Sequence, residues 1–144
     1  MLIGIDPLLG PELLAHLRSM GHGDELVIAD ANFPAASVAR RLVRADAATA
    51  PNMLGAVLSV LPLDTFSDGA VCVMEVVGSP GQCAAITGEF RQIVAARAGQ
   101  SFSNIAAVER FAFYERARQA YAVVATGERR TYGNIILRKG IIEP

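Results

Sequence analysis

Cysteine and histidine are both scarce in this 144-residue chain, which contains two of each. The cysteines, Cys72 and Cys83, have neither the spacing of a metal site nor a partner motif, which favours buried, reduced thiols over a disulfide. The histidines, His16 and His22, do not make a convincing transition-metal ligand set, even with one aspartate added. The sequence therefore predicts no metal site.

An excess of charge of one sign and a long hydrophobic run are also missing. Thirteen basic residues stand against fourteen acidic ones, for a net charge of -1. No basic patch is interleaved with aromatic residues, so nucleic acid is excluded as a partner. No apolar run approaches the roughly 20 residues that a membrane-spanning helix needs, and the start of the chain lacks the features of a signal peptide. We therefore expect no membrane partner and a cytoplasmic location.

Apolar residues, by contrast, are abundant. They make up 52% of the chain, compared with about 45–50% in a typical soluble domain. The length fits one domain over residues 1–144. Part of the apolar surplus is expected in a subunit interface, which predicts a homo-oligomer.

Helical and strand periodicities alternate along the chain, without an internal repeat or linker. Apolar residues recur at helical spacing over residues 11–20, 52–61, 83–98 and 113–119. Short apolar runs predict strands at residues 26–29, 70–77, 105–108, 121–126 and 135–138. This order predicts a single compact α/β domain whose strands are mostly covered by helices.

The most informative local feature is His22, which lies between Gly21 and Gly23 just before the first predicted strand. A histidine can give and take a proton near neutrality, and flanking glycines indicate a tight turn that presents the ring to a cleft. A histidine that only caps a turn is the alternative. Asp30 ends the same strand, and strand-end loops of α/β sheets are where ligands usually bind.

Several separated motifs follow one another along essentially the whole chain. They are GHGDE at 21–25, ADANFPA at 29–35, ERFAFYERA at 109–117, TGE at 126–128 and YGNIIL at 132–137. In this order they resemble the L-fucose mutarotase / D-ribose pyranase family. Tyr114 and the arginine–aromatic segment resemble the fucose mutarotase branch, because the pyranase branch carries a histidine in place of Tyr114.

The resemblance implies a cofactor-free enzyme that interconverts the α and β anomers of L-fucopyranose. It also implies a ring-shaped homo-oligomer, with a decamer as the expected size. Opening a hemiacetal delivers one proton to the ring oxygen and removes another from the anomeric hydroxyl, which is general acid–base chemistry. The family's proton-transferring histidine corresponds to His22, and the implied substrate-binding positions are Asp30, Arg110, Tyr114, Tyr132 and Asn134.

Two other functions stay open: a D-ribose pyranase, which interconverts pyranose and furanose forms, and a catalytically silent monosaccharide-binding protein or scaffold. His22 favours an enzyme, because binding alone does not require a group that titrates near neutrality.

The individual site residues also have purely structural interpretations. Asp30 could cap the following loop, Arg110 could pair with Glu109 at the surface, and Tyr132 and Asn134 could serve a hairpin turn with a positive φ at Gly133. Three other charged residues are expected on a solvated helix face and outside the site: Glu115, Arg116 and Arg118.

Overall fold

The computed structural model describes residues 1–144, which form six strands and five α-helices. The strands are β1 (Glu25–Ala29), β2 (Leu42–Ala45), β3 (Val71–Met74), β4 (Ala106–Val108), β5 (Ala122–Thr126) and β6 (Ile135–Arg138). The helices are α1 (Pro11–Ser19), α2 (Ala35–Val38), α3 (Ala50–Leu58), α4 (Ile86–Arg97) and α5 (Arg110–Gln119), with a 3-10 helix at Gln100–Ser103.

All strands belong to one mixed sheet with the order β2-β5-β1-β6-β3-β4. Only β6 is antiparallel to its neighbours, β1 and β3, while the other adjacent pairs are parallel. The start of β6 therefore lies beside the carboxyl ends of the other five strands. We call this side, where β1 stops at Ala29 and β6 starts at Ile135, the carboxyl end of the sheet. The opposite side, where β1 starts at Glu25, is the amino end.

The sheet separates two apolar cores, because successive strand residues point to opposite faces. In β1, Leu26 and Ile28 face the core built with α1, α3 and α4, whereas Val27 and Ala29 face the core built with α2 and α5. Burial on both faces explains the nearly continuous apolar runs of the central strands. The predicted α/β domain, with strands covered by helices, is confirmed.

The two thiols lie on opposite faces of this sheet. Cys72 belongs to the core under α5, and Cys83 packs against the other core. Both are free cysteines, as the sequence predicts.

Three elements differ from the predictions. The strand predicted over 70–77 ends at Met74, because the chain leaves the sheet and the Val76 N–H donates to the Gln82 carbonyl across a loop. α2 and β2, which are four residues long each, were not predicted from the sequence. β2 lies at the edge of the sheet with one buried residue, Val43, so its apolar signal is weak.

The longest helix, α4, has 12 residues, and no helix is long and apolar enough to cross a membrane.

Candidate functional site

Asp30 and Asn134 form a reciprocal pair at the carboxyl end of the sheet, where β1 stops and β6 starts. The Asp30 N–H donates to Asn134 Oδ1 at 2.8 Å, and Asn134 Nδ2 donates to Asp30 Oδ2 at 2.9 Å. Each residue is only 4% exposed. Burial and mutual hydrogen bonding fix both side chains in one orientation.

The Asp30 carboxylate also receives the backbone N–H groups of Asn32 at 2.9 Å and Gly133 at 3.1 Å. A carboxylate has about four acceptor positions and an amide has two N–H donors. One acceptor position on Asp30 and one donor on Asn134 therefore stay available for a ligand. An acceptor beside a donor is a combination that can bind two neighbouring hydroxyls of a sugar. Asp30 also caps its own loop through the Asn32 N–H, as the structural interpretation expects. This cap does not use the acceptor position that is available to a ligand.

The turn before β6 is strained at Tyr132, whose φ of 61° is the only positive φ outside glycine. Its hydroxyl accepts the Val77 N–H at 3.2 Å, which ties this turn to the end of β3. The expected positive φ at Gly133 is wrong. Glycine is needed there for space, since a Cβ would lie 2.8 Å from Glu128 Cγ and 3.3 Å from Asp30 Cβ. Left-handed backbone at a bulky residue costs about 1–3 kcal/mol and is typical of functional sites.

An aromatic group borders the same end of the sheet. The buried Phe33 ring lies 6.1 Å from Phe113 and 5.5 Å from Tyr114, measured between ring centroids. Phe33 follows Asp30 in the same loop, so this contact places the half-buried Tyr114 beside the Asp30 loop.

Arg110 starts α5 at the carboxyl end of the sheet. Its guanidinium carbon lies 4.7 Å from the centre of the Phe111 ring, and it has no hydrogen-bond partner in the chain. The alternative in which Arg110 pairs with Glu109 is wrong, because Glu109 instead caps α5 by accepting the N–H groups of Phe111 and Ala112. The Arg110 donors are therefore available to a ligand.

A cavity of about 370 Å³ opens next to Asp30 and Phe33, between the end of β5 and α2. This volume lies within the range of small-molecule sites. Its polar lining comes from Asp30, Ser37, Arg44, Asp46 and Thr126.

His22 lies at the opposite, amino end of the sheet, in the turn before β1. Gly23 has a φ of +85°, which supports the predicted tight turn. His22 Nε2 lies 3.0 Å from Asp64 Oδ1, and the Phe66 ring stands edge-on at 5.6 Å. The side chain is 47% exposed, whereas that of Asp64 is 4% exposed.

Asp64 is a candidate site residue that was not predicted from the sequence. Hydrogen bonds from the Ser67 hydroxyl, the Phe66 N–H and His22 lower the pKa of the Asp64 carboxyl to about 2, so it is a carboxylate at neutral pH. No motif surrounds Asp64, and its contact with His22 spans 42 positions of sequence. The bridge between Leu63 and Lys139 and the Arg138 hydrogen bond to Ser67 hold this loop at the amino end of the sheet.

The six predicted site residues thus form two groups within one chain. Asp30, Tyr132 and Asn134 are neighbours at the carboxyl end, where Tyr114 and Arg110 also lie. His22 is separated from them by β1, which at about 3.3 Å per residue gives a distance of about 16 Å. One monosaccharide cannot touch both His22 and Asp30 of the same chain.

The structure also corrects the predicted environment of Arg116. It was expected on a solvated helix face, but its Nη2 lies 2.5 Å from Glu25 Oε1 and its side chain is 28% exposed. Arg138 binds the same oxygen at 2.9 Å. These ion pairs fix α5 to the amino end of the sheet.

Fold and geometry together define a class: an α/β domain with a buried carboxylate–amide pair at one end of its sheet and a carboxylate-bound histidine at the other. Comparison with known proteins gives the family. Residues 3–142 match the RbsD / FucU transport protein family, and the chain belongs to this family. The resemblance seen in the motifs is confirmed.

The chain is similar over its whole length to proteins that carry the name fucose mutarotase. It is 48% identical to the fucose mutarotase of Bos taurus, covering 100% of this chain and 96% of the relative. It is 49% identical to that of Homo sapiens, covering 96% and 93%. Among solved structures, the fucose mutarotase from Streptococcus pneumoniae in complex with L-fucose matches with a TM-score of 0.91 and 43% identity, covering 99% of this chain and 100% of that one.

Proposed function

We propose that this protein is an L-fucose mutarotase, an isomerase that interconverts the α and β anomers of L-fucopyranose within a single domain over residues 1–144. The observation that carries the proposal is the full-length similarity to the Streptococcus pneumoniae fucose mutarotase, whose structure was solved with L-fucose. The relatives from Bos taurus and Homo sapiens carry the same activity in their names.

The reaction needs only proton transfers. A proton moves to the ring oxygen O5 while another leaves the hydroxyl on C1, the C1–O5 bond breaks, and C1 becomes an aldehyde. Rotation about C1–C2 exposes the other carbonyl face, and closure reverses both proton transfers. General acid–base catalysis of this kind contributes about 10²–10⁴-fold. His22 is the proposed proton-transfer group, because an imidazole can work in both directions.

The proposed sugar-binding groups are those at the carboxyl end of the sheet. Asp30 accepts from one hydroxyl and Asn134 donates to its neighbour, using the positions that their mutual hydrogen bonds leave available. Arg110 adds a fork of donors that has no partner in the chain. Tyr114 and Tyr132 provide aromatic faces and hydroxyls beside the sugar.

Because His22 lies at the other end of the sheet, we propose that a second copy of the chain supplies it to each site. Exposed apolar residues at both ends support such a contact: Phe66 and Ile142 near His22, and Val77 and Phe111 near the sugar-binding group. The two surfaces differ, so the contact is head-to-tail, and head-to-tail contacts close into rings. This arrangement is compatible with the ring that the family resemblance implies, and that resemblance is also the source of the predicted decamer.

Saturation-transfer NMR on reducing sugars at anomeric equilibrium tests the proposed activity, because it detects exchange without net reaction. We expect clear exchange between the pyranose anomers of L-fucose, weaker exchange for D-galactose, and little pyranose–furanose conversion of D-ribose. Tyr114 offers an apolar contact to the C6 methyl of fucose, and ribose lacks that group. Such a missing group is worth about 1–3 kcal/mol, or 10–200-fold.

The same measurement separates the alternatives. Faster conversion of ribose than of fucose would favour a D-ribose pyranase. Sugar binding without any acceleration of exchange would leave a silent monosaccharide-binding protein. A well-folded His22→Ala variant with the wild-type exchange rate would contradict the role of His22.

A further inference from the structure

The contact between His22 and Asp64 joins an exposed ring to a rigid, buried carboxylate. Asp64 Oδ1 faces His22 Nε2 at 3.0 Å and also accepts the Phe66 N–H at 3.0 Å. Asp64 Oδ2 accepts the Ser67 hydroxyl. The Phe66 N–H and the Ser67 hydroxyl hold the two carboxylate oxygens, so the Asp64 side chain cannot rotate without breaking at least one of these hydrogen bonds.

Ser67, which donates to Asp64, is itself held by a second hydrogen bond. The Arg138 guanidinium donates to Ser67 Oγ at 3.0 Å and to Glu25 Oε1 at 2.9 Å. Lys139, the cation that follows Arg138, is occupied by the carbonyls of Leu17 and Met20. No other charged group competes with Asp64 for His22 in this network.

The charge of Asp64 decides which nitrogen of His22 carries the proton. An ionised carboxylate only accepts hydrogen bonds, so Nε2 of a neutral imidazole must be the donor to Asp64. Nδ1 then keeps its lone pair. It has no hydrogen-bond partner in the chain, and the His22 side chain is 47% exposed. A carboxylate that fixes one tautomer of a histidine is a recurring arrangement in proton-transfer sites.

We infer that Asp64 is a positioning residue, which holds His22 with its proton on Nε2 and so makes Nδ1 the atom that exchanges a proton with the substrate. The catalytic part of this inference rests on the proposed mutarotase function, whereas the tautomer itself does not. The Phe66 ring, whose centroid lies 5.6 Å from that of His22, is a second neighbour of the imidazole.

The first test is the tautomer in the wild-type protein without sugar. Long-range ¹H–¹⁵N spectra of protein labelled at histidine nitrogens distinguish an Nε2–H from an Nδ1–H imidazole. The chain has only two histidines, so a His16→Gln variant assigns the signals. We expect a single Nε2–H tautomer for His22, and an Nδ1–H tautomer would overturn the inference.

The second test compares three variants. Asp64→Ala removes the acceptor, so His22 should populate both tautomers, and the exchange rate at saturating L-fucose should fall at least about tenfold. The fucose concentration at half-saturation should change by less than about twofold, as expected of a residue that acts through His22. Asp64→Asn should regain the Nε2–H tautomer and part of the rate, because the Phe66 N–H keeps the amide oxygen facing His22.

Asp68→Ala is the matched control, since Asp68 is an exposed aspartate on the same loop with no hydrogen bond to His22. It should behave like the wild type. A folded Asp64→Ala protein that keeps either its exchange rate or a single Nε2–H tautomer would overturn the inference. If the wild type does not accelerate exchange of any sugar, the proposed function fails instead, and the tautomer spectrum still decides whether Asp64 orients His22.

Discussion

His22 and Asp30 lie at opposite ends of β1, with His22 hydrogen bonded to Asp64 and Asp30 hydrogen bonded to Asn134. The strand between them lies inside the sheet, paired with β5 on one side and β6 on the other. No side-chain rotation can bring the two groups together. A reaction that uses both therefore uses two chains.

Mixing two inactive variants should restore activity if each site takes His22 from one copy and its sugar-binding residues from the next. His22→Ala lacks the proposed proton-transfer group, and Arg110→Ala lacks a proposed sugar donor that has no partner in the chain. After joint unfolding and reassembly at equal amounts, about one quarter of the head-to-tail sites should contain both native residues. Saturation-transfer NMR at low L-fucose concentration measures the recovered exchange.

Each variant reassembled alone is the control, and light scattering checks that all samples reach the same oligomeric state. A mixture no more active than the mean of its components would show that the site does not combine residues of two copies. A monomer at micromolar concentration would contradict the assembly itself.

Asn134→Asp should destabilise the protein at neutral pH. It replaces the amide donor with a second carboxylate beside Asp30 in a buried position, and a buried group left without its partner costs about 1–3 kcal/mol. Two adjacent carboxylates cannot both ionise easily, so the pKa of the pair rises. The loss of unfolding free energy should therefore shrink as the pH falls and a shared proton restores a donor. Chemical denaturation at pH 7 and pH 5 measures this.

The exposed Asn104 provides the control for that substitution, since Asn104→Asp makes the same chemical change where water solvates the new charge. Equal stability of Asn134→Asp and Asn104→Asp would contradict the reciprocal pair.

The central fold could be predicted from the sequence because burial on both faces leaves a readable pattern. β1, β5 and β6 are apolar runs with every interior residue buried, and α1 has its proline start and its buried Leu13 and Leu17. β2 could not be predicted, since an edge strand with one buried residue has no such pattern.

The site was predictable where its residues stand out locally and not where it depends on the order of the strands. Glycines on both sides marked His22, and the strand end marked Asp30. The partner of His22 is Asp64, which lies 42 positions away. It belongs to a loop that pairs with Lys139 through the bridge at Leu63. Tyr132 and Asn134 join Asp30 because β6 is antiparallel to β1, so that its start lies beside the end of β1, and short-range periodicity does not encode this placement.

Glu128→Gln should flatten the acid dependence of stability. Arg130 binds the buried Glu128 carboxylate through Nε at 2.9 Å and Nη2 at 3.0 Å, and this lowers its pKa from 4.5 to about 2. A carboxyl whose pKa is lower in the folded state stabilises the fold above its unfolded pKa and loses that contribution as the pH falls. The wild-type unfolding free energy should therefore decline between pH 4.5 and about 2, and decline less in Glu128→Gln.

Denaturant titrations across that pH range measure the slopes, with Glu143→Gln in the exposed tail as the control. Parallel pH profiles for the wild type and Glu128→Gln would contradict a folded-state interaction with Arg130.

Gly133→Ala should destabilise the fold through crowding rather than through backbone strain. The new Cβ would lie 2.8 Å from Glu128 Cγ and 3.1 Å from the Arg130 carbonyl oxygen, so neighbours in a packed site must shift. Overpacking of this kind costs about 1–3 kcal/mol. Gly88→Ala in α4 is the matched control: its Cβ would meet nothing within 4 Å, and alanine should stabilise the helix by about 0.5–1 kcal/mol. Thermal and urea unfolding of both variants should therefore shift in opposite directions. Since the crowded atoms include Asp30 Cβ at 3.3 Å, Gly133→Ala should also weaken L-fucose binding, and a variant with unchanged stability and affinity would contradict the close packing of this turn.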